Sequence, residues 1–284
     1  PELMPIFDQG YRRYEARGPL RQVRFWPITR EALRMVLSKR AFLGLLAVSL
    51  VPFLVRVGQI YIVTRFPEAG RVLPVDGRLF GQFLNMQIGF TILLSIFGAS
   101  GLIANDLRSG GILVYLSRPL TRRDYVLGKL GVPLALNLAV TLAPGLALYA
   151  AALGLAPDQF FQWELAWIGP AVVLHAVVIS LFVSLLVLAV SALSRSARVA
   201  GLAFFGLIFG LEMVRLVLQH GFGRREAMLL SLQADLRSLG SSLFGLGDPE
   251  LAIHWAAPAA VLLVVSIACL AVLRARVRAV EIVT

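Results

Sequence analysis

Apolar residues along the chain fall into six blocks, and shorter segments that are richer in polar residues separate them. Each block is roughly 20 residues long, the length that an α-helix needs to cross the hydrocarbon core of a bilayer. Because backbone polar groups in lipid must be paired within their own segment, the blocks are expected to be helical. The pattern predicts an all-α polytopic membrane protein with six transmembrane helices, at about residues 41–63, 79–104, 130–153, 167–193, 199–219 and 255–273.

Composition favours this class of protein over a soluble one. Hydrophobic residues make up 58% of the chain and charged residues 15%, whereas about a quarter of a soluble domain is charged. The net charge of +11 could suggest nucleic-acid binding, but in a membrane protein the distribution of Lys and Arg matters more than their sum. We therefore expect membrane lipids, and no nucleic acid, among its partners. The single cysteine, Cys269, lies in the last block, so no disulfide within the chain is possible.

The distribution of Lys and Arg between the loops predicts the orientation of the spans. Nineteen of these residues lie before the first span, after the second and fourth spans, or after the sixth, whereas six lie in the other loops. Because cytoplasmic loops carry the excess of positive charge, both termini are predicted to be cytoplasmic. This interpretation gives a cytoplasmic or interfacial segment 1–40, a transmembrane domain 41–273 and a cytoplasmic tail 274–284. The domain contains a cytoplasmic loop 105–129 and an external helical segment 220–254.

The residues before the first span form a basic amphipathic pattern, PITREALRMVLSKR. Thr29 is predicted to cap a helix that carries Arg30, Arg34 and Lys39 largely on one side. The apolar side comprises Ile28, Ala32, Leu33, Val36 and Leu37. A basic amphipathic helix of this kind is typical of one that lies in the membrane interface. A simple cytoplasmic extension of the first span is the alternative.

The external segment 220–254 contains leucines at alternating spacings of three and four residues. They are Leu229, Leu232, Leu236, Leu239 and Leu243. This spacing predicts a helix with one narrow apolar stripe. We expect the stripe to pack on the outer ends of the spans or on the same segment of a partner subunit, with a substrate gate as a further alternative.

The sequence offers little that could carry out enzyme chemistry. The stretch GASG at 98–101 matches the pattern around the serine of rhomboid-type intramembrane proteases, and such a serine needs a histidine within hydrogen-bond reach. His175 is predicted to differ from Ser100 in depth by roughly 12 Å, so small residues at a helix contact explain the glycines better. The chain also lacks the glycine-rich motif of a phosphate-binding loop. We therefore expect no catalytic, cofactor-binding or metal-ligating residue in this chain.

Three charged residues fall inside predicted spans: Arg56 in the first, and Glu212 and Arg215 in the fifth. Charges within a bilayer are costly and usually face a bundle interior, a partner charge or a water-filled cavity. All three are predicted to lie at similar depth in the outer half of the membrane. One interpretation is a structural ion pair between the first and fifth spans, and Glu212 and Arg215 could also pair within their own helix. The other is a polar lining or gate on a substrate pathway.

The loop 105–129 divides into segments with different local signals. Gly110 and Gly111 precede the short apolar piece ILVYLS, which is suited to docking in a groove of another protein or to lying on the inner leaflet. Pro119 then restricts the preceding residue to extended geometry. Thr121 and Asp124 have the spacing of a capping box, which predicts the start of the helix that leads into the third span.

Several short motifs follow one another along this loop: Asp-x-Arg-Ser-Gly at 106–110, Ser-Arg-Pro at 117–119, Thr-Arg-Arg-Asp-Tyr at 121–125 and Leu-Gly-Lys at 127–129. Their order resembles the cytoplasmic loop of ABC transporter permeases of type 2, in which a coupling helix between the second and third spans docks on the ATP-binding subunit. The resemblance implies the following ATPase-coupling residues: Asp106, Arg108, Ser109, Gly110, Leu113, Tyr115, Leu116, Arg118, Pro119, Thr121 and Arg122.

The resemblance also implies an ATP-driven exporter in the inner membrane of a prokaryotic cell. Two copies of a separate ATP-binding subunit would hold the ATP and Mg, and two permeases would associate as a homodimer or heterodimer. The first, second and fifth spans would line the dimer interface and the pathway, which places Arg56, Glu212 and Arg215 near the substrate route.

One alternative is a non-transporting membrane subunit of a mechanochemical complex in envelope assembly or regulation, with an accessory envelope protein as a further partner. A more remote one is an intramembrane hydrolase.

Overall fold

The computed structural model describes residues 25–71, 73–111, 121–155, 166–223, 225–246 and 254–277, and within these ranges the regular structure is helical. Six helical segments are long and apolar enough to cross a membrane. They are Arg40–Arg65, Gly77–Ser109, Arg122–Leu155, Ile168–Leu193, Ala197–Phe222 and Ala256–Arg276. The predicted all-α class and all six predicted spans are therefore confirmed.

Three of these spans consist of two consecutive helices. In chain order, α1 (Trp26–Leu37) precedes the spans, α2 (Arg40–Ser49) and α3 (Val51–Arg65) form the first, and α4 (Gly77–Ala99) and α5 (Ala104–Ser109) form the second. The third comprises α6 (Arg122–Val140) and α7 (Leu142–Leu155), and the fourth and fifth are α8 (Ile168–Leu193) and α9 (Ala197–Phe222). Helix α10 (Leu232–Leu243) precedes the sixth span, α11 (Ala256–Arg276). Pro52 and Pro144 lie in the first turns of α3 and α7. Backbone N–H groups in a first turn have no partner within the helix, so the missing N–H of proline costs no helical hydrogen bond there.

The fourth span is the centre of the bundle. In its most apolar stretch 72% of the residues are buried inside the chain, against 17% in each of the first and fifth spans and 22% in the sixth. Helix α8 packs against α4, α6, α7 and α11, and its nearly continuous apolar sequence suits a helix surrounded by other helices. The less buried spans present apolar side chains outward, where lipid or a partner subunit would cover them.

Buried polar side chains connect the second, third and fourth spans. Asn137 on α6 donates its two amide hydrogens to Ser95 on α4 and Ser184 on α8, each at 3.2 Å. One turn further on, the Thr141 and Ser180 hydroxyls are 3.0 Å apart. All of these side chains are at most 1% exposed, and each has a partner, so the polar groups join the three spans without a large desolvation penalty.

Helix α1 packs on the protein through the face predicted to be apolar. Ile28, Ala32 and Val36 are buried, and α1 packs closely on α6. The predicted cap at Thr29 is wrong: the helix begins at Trp26, because Pro27 occupies the first turn. Thr29 instead lies within the helix and donates its hydroxyl to the carbonyl oxygen of Gly128 at 2.8 Å. The position of α1 in the membrane interface stays a prediction.

The segment between the fifth and sixth spans packs back against the helices of the bundle. Glu212 lies ten residues before the end of α9, about 15 Å along the helix axis, yet it accepts a hydrogen bond from Ser231, the cap of α10. Helix α10 therefore begins at this depth and ends near the start of α4, where Gly77 leaves room for Phe244. Four of the five leucines of the predicted stripe pack in the main core together with the spans: Leu232, Leu236, Leu239 and Leu243. The fifth, Leu229, precedes α10 and is not part of this core.

Candidate coupling and pathway sites

The two ends of the loop 105–129 are joined by a buried ion pair. The Lys129 Nζ atom is 2.7 Å from Oδ2 of Asp106, with side-chain exposures of 6% and 19%. The Tyr125 hydroxyl donates to the same carboxylate oxygen at 2.8 Å, and the lysine ammonium lies 5.6 Å from the centre of the Tyr125 ring. Tyr125 is fully buried. This cluster, Asp106–Tyr125–Lys129, is termed the loop base below, and it fixes the end of the second span to the start of the third.

The helix that leaves the loop begins as the capping pattern predicted. Thr121 precedes the first residue of α6, its hydroxyl accepts the Asp124 N–H at 3.2 Å, and the Asp124 carboxylate accepts the Thr121 N–H at 3.0 Å. Both halves of the capping box are therefore formed. On the other side of the loop, α5 ends at Gly110, whose φ of +68° is a left-handed conformation that glycine adopts at low cost.

The coupling residues implied by the resemblance do not all face outward. Asp106 is part of the loop base and is mostly buried, whereas Arg108, Ser109 and Arg122 are exposed and could meet another protein. Five further residues lie outside the described ranges: Leu113, Tyr115, Leu116, Arg118 and Pro119. The sequence reasoning missed Tyr125 and Lys129 as partners of Asp106. An acid and a base at opposite ends of one loop were the available signal.

Arg56 forms a polar cluster that links the first span to the second. Its guanidinium donates to the side-chain oxygens of Gln59 at 2.7 Å and of Gln82 at 3.0 Å. Gln59 lies one turn along the same helix, and Gln82 lies on α4. The positive charge is therefore solvated by two neutral amides. No ion pair joins Arg56 to Glu212 in the described chain, so the predicted ion pair between the first and fifth spans is not formed.

Glu212 and Arg215 pair within α9, as the one-turn spacing allowed. Arg215 donates through Nε at 3.0 Å and through Nη2 at 2.8 Å to the two carboxylate oxygens of Glu212. The arginine also donates to Gln219, and Ser231 donates to Glu212. The carboxylate therefore ties the C-terminal half of α9 to the start of α10. Whether either cluster lies on a pathway stays a prediction.

Ser100 and His175 are engaged with different backbone carbonyls. The Ser100 hydroxyl donates to Ile96 at 2.6 Å, and the His175 Nε2 atom is 3.1 Å from the carbonyl oxygen of Leu236. The flanking glycines serve packing, as predicted: a Cβ added at Gly98 would lie 2.9 Å from Phe42 on α2. The geometry therefore supports close helix contact at GASG rather than a serine–histidine pair.

Comparison with known proteins gives one family. The family model described as ABC-2 family transporter protein matches residues 26–273, which extends from α1 through most of the sixth span. No curated protein matches the chain.

Proposed function

We propose, because the chain belongs to the ABC-2 family of transporter proteins, that it is the membrane subunit of an ATP-driven exporter. ATP and Mg would be bound by two copies of a separate ATP-binding subunit, and two permeases would form the membrane part as a homodimer or heterodimer. The charge distribution supports an inner-membrane orientation with both termini in the cytoplasm. In that orientation the loop 105–129 faces the ATPases.

The observation that carries the proposal is the loop base. A loop that transmits force must have stiff attachments, and the Asp106–Lys129 pair with the Tyr125 hydroxyl joins both of its ends in a mostly buried cluster. The capping box at Thr121 fixes the direction in which the third span begins. Movement of a docked loop would therefore be passed to the second and third spans together rather than being absorbed where the loop meets the membrane.

The polar clusters around Arg56 and Glu212 suggest where a substrate route could run through such a dimer. Within one chain, Arg56 is held by Gln59 and Gln82, whereas Glu212 and Arg215 are held on α9. Family resemblance places the first, second and fifth spans at the interface between two permeases. We propose that the Arg56 cluster of one copy and the Glu212 cluster of the other line a common polar route.

Stimulation of the partner ATPase tests the coupling role. The complex is reconstituted with the ATP-binding subunit, and the variant Arg118→Ala with Pro119→Ala is compared with the wild type. We expect the variant to assemble but to lose most permease-dependent ATPase activity. Arg195→Ala with Arg198→Ala is the matched control, because it removes charge from the other short loop predicted on the same side. Unchanged stimulation in the loop variant, or a purified chain that binds no ATPase subunit, would disprove the proposal.

Thiol labelling tests the route. In a Cys269→Ser background, single cysteines replace Gln59 and Gln219, and a membrane-impermeant maleimide is applied to the assembled complex. A water-lined route predicts labelling at both positions, because a thiol reacts as the thiolate and needs water to ionise. Leu202→Cys is the control: Leu202 lies on α9, is 72% exposed in the single chain and carries no polar partner. Labelling no faster than at the control would leave only a structural role for the clusters.

A further inference from the structure

A groove lies between the first turns of α6 and the last turns of α11. Its volume is about 570 Å³, and its floor is formed by apolar side chains that include Val126, Leu127 and Leu273. Leu127 is 47% exposed in the groove, whereas the nearby Tyr125 and Val277 are buried against each other and Val126 packs on them. Because covering exposed apolar surface is favourable, an apolar group would bind on this floor at the end of the span.

Three arginines line the same groove: Arg122 and Arg123 from α6 and Arg274 from α11. Among the described residues, none of their guanidinium groups has an ion-pair or hydrogen-bond partner, and no carboxylate lines the groove. Nearby charges are already engaged, since Lys129 is paired with Asp106 and the Asp124 carboxylate binds Thr121. The groove therefore offers unneutralised positive charge beside an apolar floor.

A second, shallower groove of about 420 Å³ continues the first along α11 and shares Leu270 and Arg274 with it. Leu263, Ile267 and Leu270 follow one another on that face of the helix at helical spacing and are 62%, 57% and 41% exposed. A long apolar chain could therefore extend from the arginines into the membrane without leaving the protein surface.

We propose that this groove binds an anionic phospholipid, with the phosphate at Arg122, Arg123 and Arg274 and one acyl chain along the exposed face of α11. The combination decides the occupant. A free phosphate would use the arginines but not the apolar floor, and a neutral lipid would use the floor but leave the arginines unpaired. Basic pockets between transmembrane helices are suited to anionic lipid head groups. A bound lipid would connect the sixth span to the first turns of the third, directly beside Tyr125 of the loop base.

Native mass spectrometry of the purified full chain tests the proposal. Dioleoyl phosphatidylglycerol and dioleoyl phosphatidylcholine, which share their acyl chains, are titrated separately into the wild type and into Arg123→Gln with Arg274→Gln. An arginine near a membrane surface contributes about fivefold to affinity for anionic lipid. The double variant should therefore bind phosphatidylglycerol about 25-fold more weakly, with binding of phosphatidylcholine unchanged.

Arg195→Gln with Arg198→Gln is the matched control, because it removes two exposed charges from the short loop predicted between the fourth and fifth spans without touching the groove. We expect it to bind phosphatidylglycerol as the wild type does. An equal loss in this control would mean that overall surface charge attracts the lipid, and unchanged binding in the double variant would mean that the lipid sits elsewhere. Either result overturns the proposal.

Two further arms separate the alternative occupants. If glycerol 3-phosphate displaces phosphatidylglycerol at comparable concentrations, the site recognises a free phosphate ester and the proposal is wrong. If phosphatidylglycerol binds only after residues 278–284 are deleted, the tail occupies the groove and the proposal is likewise wrong. Selective, arginine-dependent binding by the intact chain, without competition by glycerol 3-phosphate, supports it.

Discussion

Removing the carboxylate of Asp106 should destabilise the chain, and removing its partner as well should restore part of the loss. In Asp106→Asn the ammonium of Lys129, a residue only 5% exposed, would lose the carboxylate 2.7 Å away. Breaking a buried ion pair by removing one partner typically costs about 3–5 kcal/mol. Because the Asp106 side chain is 19% exposed, water can partly replace it, and we expect about 3 kcal/mol.

The second change is Lys129→Met, which keeps most of the side-chain volume but removes the charge. Replacing both members of a buried pair by groups that need no counter-charge is often nearly neutral. The double variant should therefore be more stable than Asp106→Asn alone, with a coupling energy of about 2 kcal/mol between the two sites. Arg108→Gln, an exposed neighbour on α5, should change stability by less than about 0.5 kcal/mol.

The assay is reversible unfolding by SDS in mixed micelles, monitored by circular dichroism. It is applied to the wild type, to Asp106→Asn, to Lys129→Met and to the double variant. Additivity of the two substitutions to within about 0.5 kcal/mol would refute the reasoning, because it would show that the two charges do not stabilise one another in the folded chain. A double variant less stable than Asp106→Asn would refute it too. A second measurement on the same proteins, stimulation of the ATP-binding subunit, should fall in Asp106→Asn if the loop base transmits force.

Three other predictions concern single sites. Burial raises the pKa of the fully buried Asp235 carboxyl to about 8, so the folded chain keeps a proton that the unfolded chain loses near pH 4. Thermal stability should therefore fall as the pH rises from about 4 to 8. If the melting temperature of Asp235→Asn falls as steeply with pH as that of the wild type, this prediction is contradicted. Gly240→Ala should lower the melting temperature sharply, since the added Cβ would overlap the His175 ring and displace a fully buried side chain; a variant as stable as the wild type would show that the ring can move. Thr121→Ala should cost about 1 kcal/mol in the same SDS titration through loss of the capping box, whereas Thr121→Ser should retain it, and equal losses would exclude the cap as the cause.

The spans could be predicted from the sequence because a bilayer imposes one requirement on each: about 20 apolar residues with internal backbone pairing. The capping box at Thr121 was also predictable, since both partners lie within one turn. The partners of Arg56 were not. Nothing in the linear pattern distinguishes Gln82 on the next span from Glu212, and the choice depends on which helices pack together. Thr29 was misplaced as a cap because Pro27, two residues earlier, starts the helix and leaves the threonine free to bond to the third span.

The positions of the polar side chains suggest how force could travel from the loop into the membrane. The loop base joins the second and third spans at one end, and Asn137 joins the same two spans to the fourth deeper in the bundle. Two connections at different depths resist rotation as well as separation, so these three spans should move as one body. The first, fifth and sixth spans are mostly unburied within the chain, and the fifth is tied by Glu212 to Ser231 in the segment that returns to α10. Movement of the loop would therefore shift this three-span body relative to the peripheral spans, which carry the Arg56 and Glu212 clusters.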